Sequence, residues 1–507
     1  MYKLLDTFRS FVKLIALLIL TILLYLNITN ITYIFAGIFP LITNQSITLA
    51  FVSMILVTLF FIITNKLKFT NKAVIISIIV INLIAFLLRI ILILSFDVQP
   101  AGDMYAVVAS GVEYFYFGDL KPFWPGGYVS NYVHQLGLLQ LLSFMFKSFR
   151  FNYLPYYILN GILIQLSILM LSMFVYRKYK PISGLITTFL LNFFIPAYFM
   201  TFYIYGDVLA LFALSSIVFM STLEKSNWVK ISLLFLLMTI AYISRSTSIV
   251  WMIAFSMITL ISKSKVKNKL FIVLALVLAV VLPQKLLITY YNHKEQLSLG
   301  ENSLPMSAWI AIGTDYSSID NESPGFYNAK YLDYLIENKF DQGKSNEFNV
   351  INIENNISSL IKDSKIFDFF SKKVKLTWTD PDFESMNSIL PINYDVMPED
   401  FNNNQAIRLG SGGPDTRYKN MIGEMIWDKM FLIRNLEKIY IISILLMSVY
   451  SLIRNRKSNS LSLFFFELLI VGFFIIMLIL ETKPRYTFVF MMFLITYSGI
   501  SSFKSKQ

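Results

Sequence analysis

Ionisable side chains are scarce within the apolar parts of this 507-residue chain, and those that occur sit almost entirely at the ends of apolar runs. They are Asp97, Asp103, Asp207, Arg245 and the cluster Glu481, Lys483 and Arg485. An ionised group at membrane depth costs roughly 2.5–3.5 kcal/mol unless it is paired or hydrated, so such groups are candidates for function. Their collection at one set of run ends points to a single polar site at a membrane surface rather than a path through the bilayer.

Asp103 stands in Pro100-Ala101-Gly102-Asp103, just before a helix-like Ala/Val stretch. Two roles fit it: a general base beside an acceptor hydroxyl, and an N-cap for the helix that follows. Asp97, six residues earlier, and Asp207 are the alternative bases. Arg245 interrupts an apolar stretch within Ser244–Ser248, and Lys483, Arg485 and Tyr486 share the turn that Glu481 opens. Cations at this depth suit a phosphate on a lipid carrier, since a guanidinium binds two oxygens at once. Ordinary headgroup binding or snorkelling accounts for the same residues. His134 and Gln135, on the polar face of an amphipathic segment, and Asp207 and Glu481 are the candidate substrate contacts. Arg89, inside the third span, either reaches the same site or pairs with Asp97. Asp380-Pro381-Asp382, followed by Glu384, is a D-x-D tripeptide, and its proline favours a turn over a metal site.

These residues must be held by membrane helices. The chain is 56% hydrophobic and only 15% charged, against about 25% charged in soluble domains. Apolar segments at 14–26, 46–65, 73–96, 154–176, 182–203, 207–222, 229–243, 247–262, 270–290, 438–453, 459–480 and 487–503 predict about twelve transmembrane helices. Segment 129–147 is read as lying along the surface. With it placed there, 20 Lys/Arg fall on one side of the membrane, which by the positive-inside rule is the cytoplasm. Both termini then lie in the cytoplasm, and loop 97–153 and region 292–431 lie outside.

The net charge of +12 is divided unevenly: 292–431 holds 13 Lys/Arg and 21 Asp/Glu, and the remainder 30 and 10. The basic excess therefore reports topology, and no nucleic-acid partner is expected. Region 292–431 reads as a mixed α/β extracytoplasmic domain punctuated by Gly, Asn, Asp and Pro, as at Gly410–Pro414. It separates an N-terminal transmembrane part, 1–291, from C-terminal helices, 432–507. With no cysteine and two histidines, disulfides and thiolate chemistry are excluded and a His-rich metal centre is disfavoured. No phosphate-binding Gly-rich loop, dinucleotide fingerprint, serine elbow or zinc-protease motif is present.

Taken in order, these features resemble the GT-C superfamily of integral membrane glycosyltransferases, and within it the protein O-mannosyltransferase-like branch (family 39) of bacterial envelopes. The likeness rests on Gly102-Asp103-Met104-Tyr105, on Tyr132–Gly137, on Gly206-Asp207, on the Ser-Arg-Ser-Thr turn at 244–247 and on Glu481–Tyr486, and covers most of 72–503 in order. The chain departs from the family in having Gly102 and Met104 where adjacent acids are frequent, and Val133 where proline is common. Stretches Ser303–Gly313 and Gly325–Asn328 look like a feature of the outer region, without a role.

The resemblance implies a GT-C fold in the plasma membrane and transfer of a sugar from a polyprenyl-phosphate donor. The acceptor would be an envelope glycopolymer, lipid or protein on the outer face. It implies inversion, with Asp103 as base and Arg245, Lys483, Arg485 and Tyr486 on the donor phosphate. No cofactor is implied beyond a divalent cation, Mg²⁺ or Mn²⁺, which the chemistry leaves open. A polymerase or ligase using a lipid-diphosphate donor, a lipid-sugar flippase or transporter, and a membrane scaffold are the competing readings.

Overall fold

The computed structural model describes the chain except residues 1, 36–38, 46, 67–68, 97, 101, 224–227, 319–321, 389–420 and 501–507. Asp97 and the Gly410–Pro414 turn therefore lie outside the described residues. Helix α1 (Tyr2–Thr29) leads into a hairpin of β1 (Asn30–Phe35) and β2 (Phe39–Asn44), then α2 (Ile47–Lys66) and α3 (Asn71–Ser95). Five shorter elements follow: α4 (Asp103–Phe115), a 3-10 turn at Lys121–Phe123, α5 (Tyr128–Asn131), a 3-10 turn at Val133–Gln135 and α6 (Leu136–Phe149). The chain continues with α7 (Leu154–Lys178), α8 (Pro181–Phe193), α9 (Pro196–Phe199), α10 (Gly206–Met220), α11 (Trp228–Ser244), α12 (Ile249–Ile261) and α13 (Val266–Glu295). Next come α14 (Met306–Thr314), α15 (Lys330–Glu337), α16 (Gln342–Lys362) and α17 (Ile366–Trp378). The last four are α18 (Met421–Asp428), α19 (Met430–Arg454), α20 (Leu461–Ile479) and α21 (Phe488–Ile500).

Among the described residues seven helices are long and apolar enough to cross a membrane: α1, α2, α3, α7, α13, α19 and α20. The chain is thus a polytopic helical membrane protein. Each of the twelve apolar segments is helical, but α10, α11, α12 and α21 are shorter than a bilayer crossing. Thirteen residues rise only about 20 Å against a hydrocarbon core of about 30 Å. Helix α21 is buried at every residue, so its ends meet protein and not lipid. Segment 182–203 bends by 64° between α8 and Pro196–Phe202.

Arg89 explains how that bend persists. Fully buried in α3, it donates from Nη1 to the Ala197 carbonyl at 2.5 Å and to Thr201 Oγ1 at 3.0 Å. Asn160 of α7 donates to the carbonyls of Thr201 and Tyr203 at 3.1 and 3.0 Å. Side chains thereby replace the helical bonds lost at the break, as irregular backbone at membrane depth requires. Arg89 is occupied here and makes no contact with the site.

The described part of 292–431 is helical and holds only an isolated bridge, Tyr316 to Pro324. The strands are at 30–44 instead, and β1 docks on the end of α17 through Thr32 Oγ1 and Thr379 Oγ1, 2.7 Å apart. Nor does this region stand apart. Trp378 of α17 packs edge-on against Phe490, with ring centres 5.5 Å apart, inside the main apolar core. Gly313 shows how closely the two parts approach, since a Cβ there would lie 2.0 Å from the Ile479 carbonyl oxygen. Helix α6 lays Leu136, Leu138, Leu139 and Phe146 on protein and exposes Phe144 and Lys147, the two-faced pattern of a helix lying at an interface.

Candidate functional site

The site forms where α4 begins and where α11 and α20 end. Asp103 is the first residue of α4, and Gly102, at φ +55°, provides the turn into it. The cap position belongs to Gly102 and no side chain caps this helix, so the Asp103 carboxylate is not spent on an N-cap. Its Oδ2 lies 3.9 Å from Arg485 Nη2 and 4.0 Å from Lys483 Nζ, close enough for attraction and too long for a hydrogen bond. Burial pushes the Asp103 pKa up, but Lys483, Arg485 and Arg245 outweigh it and hold the carboxyl below the ordinary aspartate range.

The Glu481–Tyr486 turn presents the cations. Pro484 opens a 3-10 turn and holds Lys483 extended at φ −144° and ψ 114°, as a residue before proline prefers. Glu481, buried, pairs with Lys483 Nζ at 3.2 Å and accepts the Tyr486 hydroxyl at 2.7 Å. Arg485 lies over the rings of Tyr203 and Tyr205, 4.6 and 4.9 Å from their centres. Those tyrosines follow the bent span that Arg89 secures. Thr482 fixes the turn to the neighbouring segment, donating from its amide to Gly325 O at 2.6 Å and from Oγ1 to Pro324 O at 2.9 Å.

Arg245, just after α11, pairs through Nε with Asp207 Oδ1 at 2.8 Å and lies 4.6 Å from the centre of the Tyr486 ring. Gly206 permits this pairing, because a Cβ there would sit 1.8 Å from the Ser244 carbonyl oxygen. Gln135 donates to the Tyr205 hydroxyl and lies 3.0 Å from His134 Nε2, while the His134 ring meets Trp309 edge-on at 5.7 Å. Enclosure by protein, reinforced by Arg245, pushes the His134 pKa down to about 4, so the imidazole is neutral near pH 7.

A cavity of about 390 Å³ joins these groups. Of the residues singled out in the sequence, Asp103, His134, Gln135, Arg245, Glu481, Lys483 and Tyr486 line it. Two expected residues do not. Asp207 is buried behind Arg245, where a carboxylate is needed to compensate a guanidinium out of water. Arg485 likewise stands behind Asp103 and acts on its charge.

Several lining residues are not among the sequence candidates: Tyr128, Tyr205, Gln284, Trp309, Tyr327 and Gln342. Trp309 and Tyr327 belong to the two stretches, Ser303–Gly313 and Gly325–Asn328, that stand out in the sequence without a role.

The D-x-D tripeptide is a buried turn. Asp380 accepts from the backbone amides of Asp382 and Glu384 at 3.4 and 3.0 Å, and Asp382 is bound by Arg434 at 2.7 and 2.8 Å. Among the described residues no three His, Asp or Glu side chains group as a metal site. Glu384 lies beneath the cation turn and accepts from the Arg485 amide; burial raises its pKa to about 8.

Chemically, the cavity offers an ionised, partly exposed carboxylate, two lining cations and a neutral imidazole. No protein-family model matches the chain, and no curated protein or solved structure matches it either.

Proposed function

We propose that the chain transfers a sugar from a polyprenyl-phosphate donor to an acceptor hydroxyl at the outer face of the plasma membrane. The observation that carries this reading is Asp103, uncapped and ionised, facing Lys483 within the cavity that Arg245 also lines. The acceptor oxygen attacks the anomeric carbon from the side opposite the phosphate. The carbon–oxygen bond to phosphate breaks, and Asp103 receives the hydroxyl proton, so the anomeric centre inverts. Lys483 and Arg245 take up the charge that grows on the departing phosphate. A carboxylate with a lowered pKa is a weak base. It therefore orients the hydroxyl first and takes the proton late, as the acceptor oxygen acidifies.

The resemblance to the GT-C glycosyltransferases, and to their protein O-mannosyltransferase-like branch, supports the same assignment, and no metal ion enters this scheme. The orientation is supported by the far end of the bundle. There Lys13 Nζ donates to the carbonyls of Arg456 and Ser458, which places the basic N-terminus and the 454–457 cluster together, away from the cavity. An envelope glycopolymer, lipid or protein would serve as acceptor.

The test uses purified protein in proteoliposomes, labelled undecaprenyl-phosphate hexoses and an envelope acceptor fraction. Transfer that falls about 100-fold in Asp103→Asn, the scale of a lost general base, supports the reading. Transfer unaltered in Asp103→Asn overturns the role of Asp103. Labelled lipid crossing the bilayer without transfer overturns the enzyme itself in favour of a flippase. Transfer from a diphosphate donor alone makes it a polymerase or ligase.

A further inference from the structure

A second cavity, of about 660 Å³, opens at the polar end of α13 and shares no lining residue with the first. Its walls are the end of α4, the outer half of α6 and the last turns of α13. Two lysines line it. Lys294 Nζ donates to the Tyr114 hydroxyl at 3.0 Å and pairs with Glu295 Oε1 at 2.6 Å, and Tyr114 donates to the same oxygen at 2.7 Å. Two of the three ammonium hydrogens of Lys294 are thereby used and one is left. Lys147 is exposed, lies 5.9 Å from the centre of the Phe115 ring, and forms no ion pair among the described residues.

The surroundings are those of a membrane surface. Just below the cavity α13 is an apolar and largely exposed helix, presenting Val281, Leu282, Leu286 and Tyr290. Phe117 and Phe144 stand exposed on the other two walls. Aromatic side chains at this level mark the boundary between hydrocarbon and water. The cations alone would suit two helix C-termini. Helix-end electrostatics do not account for a large polar cavity between them that opens onto an apolar flank.

We propose that this cavity seats the headgroup of an anionic phospholipid. Lys147 and the remaining hydrogen of Lys294 hold the phosphate, the Tyr114 and Tyr291 side chains form the polar wall, and the acyl chains run down the exposed flank of α13. Charge favours an anionic headgroup, because two lysines against the single carboxylate of Glu295 leave the lining net positive, and a zwitterionic lipid brings no net charge to meet it. The site shares walls with α4 and α6, whose opposite ends carry Asp103 and His134. The inference stands independently of the sugar-transfer reading.

Native mass spectrometry of the intact protein in detergent tests it, with phosphatidylglycerol and phosphatidylcholine of equal chain length as probes. Wild type is expected to retain phosphatidylglycerol preferentially. Lys147→Gln is expected to weaken that retention about fivefold, the scale of one lysine at an anionic surface, and Lys147→Arg to preserve it. Lys294 is tied into the Tyr114–Glu295 group, so its variants endanger folding, and exposed Lys147 carries the test. Equal retention of the two lipids by wild type, or phosphatidylglycerol retention unaltered in Lys147→Gln, overturns the proposal.

Discussion

Asp207 fixes Arg245 from behind: Oδ1 and Nε are 2.8 Å apart, the carboxylate is shut off from the cavity, and the guanidinium is one of its walls. The acid thus acts on any ligand only through the arginine. Asp207→Asn is expected to raise KM for the lipid-linked donor about 10-fold or more, with a smaller loss in kcat, because a loosened cation binds phosphate less well. Breaking a buried pair also costs about 3–5 kcal/mol, so a fall in Tm accompanies it. A loss confined to kcat would instead return Asp207 to the role of base.

Arg485 and Lys483 set the charge of Asp103, and the sign of the pH effect follows. A carboxyl whose folded pKa is depressed contributes stability above its unfolded value, about 3.9, and loses it as pH falls through the lower folded value. The acid limb of the activity profile is expected below the ordinary aspartate range. Arg485→Gln should move that limb upward without abolishing transfer. A profile that does not move would disconnect the two residues.

Glu384 behaves oppositely. Burial raises its pKa to about 8, so the folded protein holds a proton that the unfolded chain releases near 4.3. Stability should therefore decline as pH rises from about 4.3 to about 8. Glu384→Gln keeps a neutral group in place and should flatten that decline, gaining on wild type most clearly near pH 8 and above. Parallel Tm curves for the two proteins from pH 5 to pH 9 would contradict the assignment.

Trp309 brings an aromatic face to the cavity from α14. Trp309→Ala is expected to raise KM for the acceptor or the sugar donor about 10-fold with kcat falling less, the pattern of lost uniform binding. Steady-state kinetics with each substrate varied in turn identifies which one leans on the ring. No change in either KM would remove Trp309 from the binding surface.

Most of the site was legible because charge at membrane depth is costly, which makes Asp103, Arg245, Glu481 and Lys483 conspicuous against an apolar background. Their pairings were not. Asp207 and Arg245 meet only because α10 and α11 pack together and Gly206 lets their ends touch, and no local pattern encodes that. Arg89 illustrates the same limit: its partners are the Ala197 carbonyl and the Thr201 hydroxyl at the bend after α8, which composition cannot reveal. Trp309 and Tyr327 lie in stretches that stand out without a role, and in a chain with 46 Phe and 29 Tyr only the fold brings these two aromatics to the cavity. The apolar segments were readable as helices, whereas the length each keeps depends on neighbours, as the buried α21 shows. The strands expected in 292–431 rest on short strand-like runs between Gly, Asn, Asp and Pro, and part of that punctuation, Gly410–Pro414, lies outside the described residues.

The polar segment is stitched to the cation turn at three points. Thr482 binds the carbonyls of Gly325 and Pro324, and Lys373 of α17 donates to the carbonyls of Gly313 and Leu480 at 2.5 and 2.7 Å. Trp309 and Tyr327, on either side of those stitches, are part of the cavity wall. The segment is therefore not an interchangeable module. A chimera that grafts 292–388 from another chain would have to bring residues 480–487 with it, and the two pieces would be expected to diverge together, as one heritable unit.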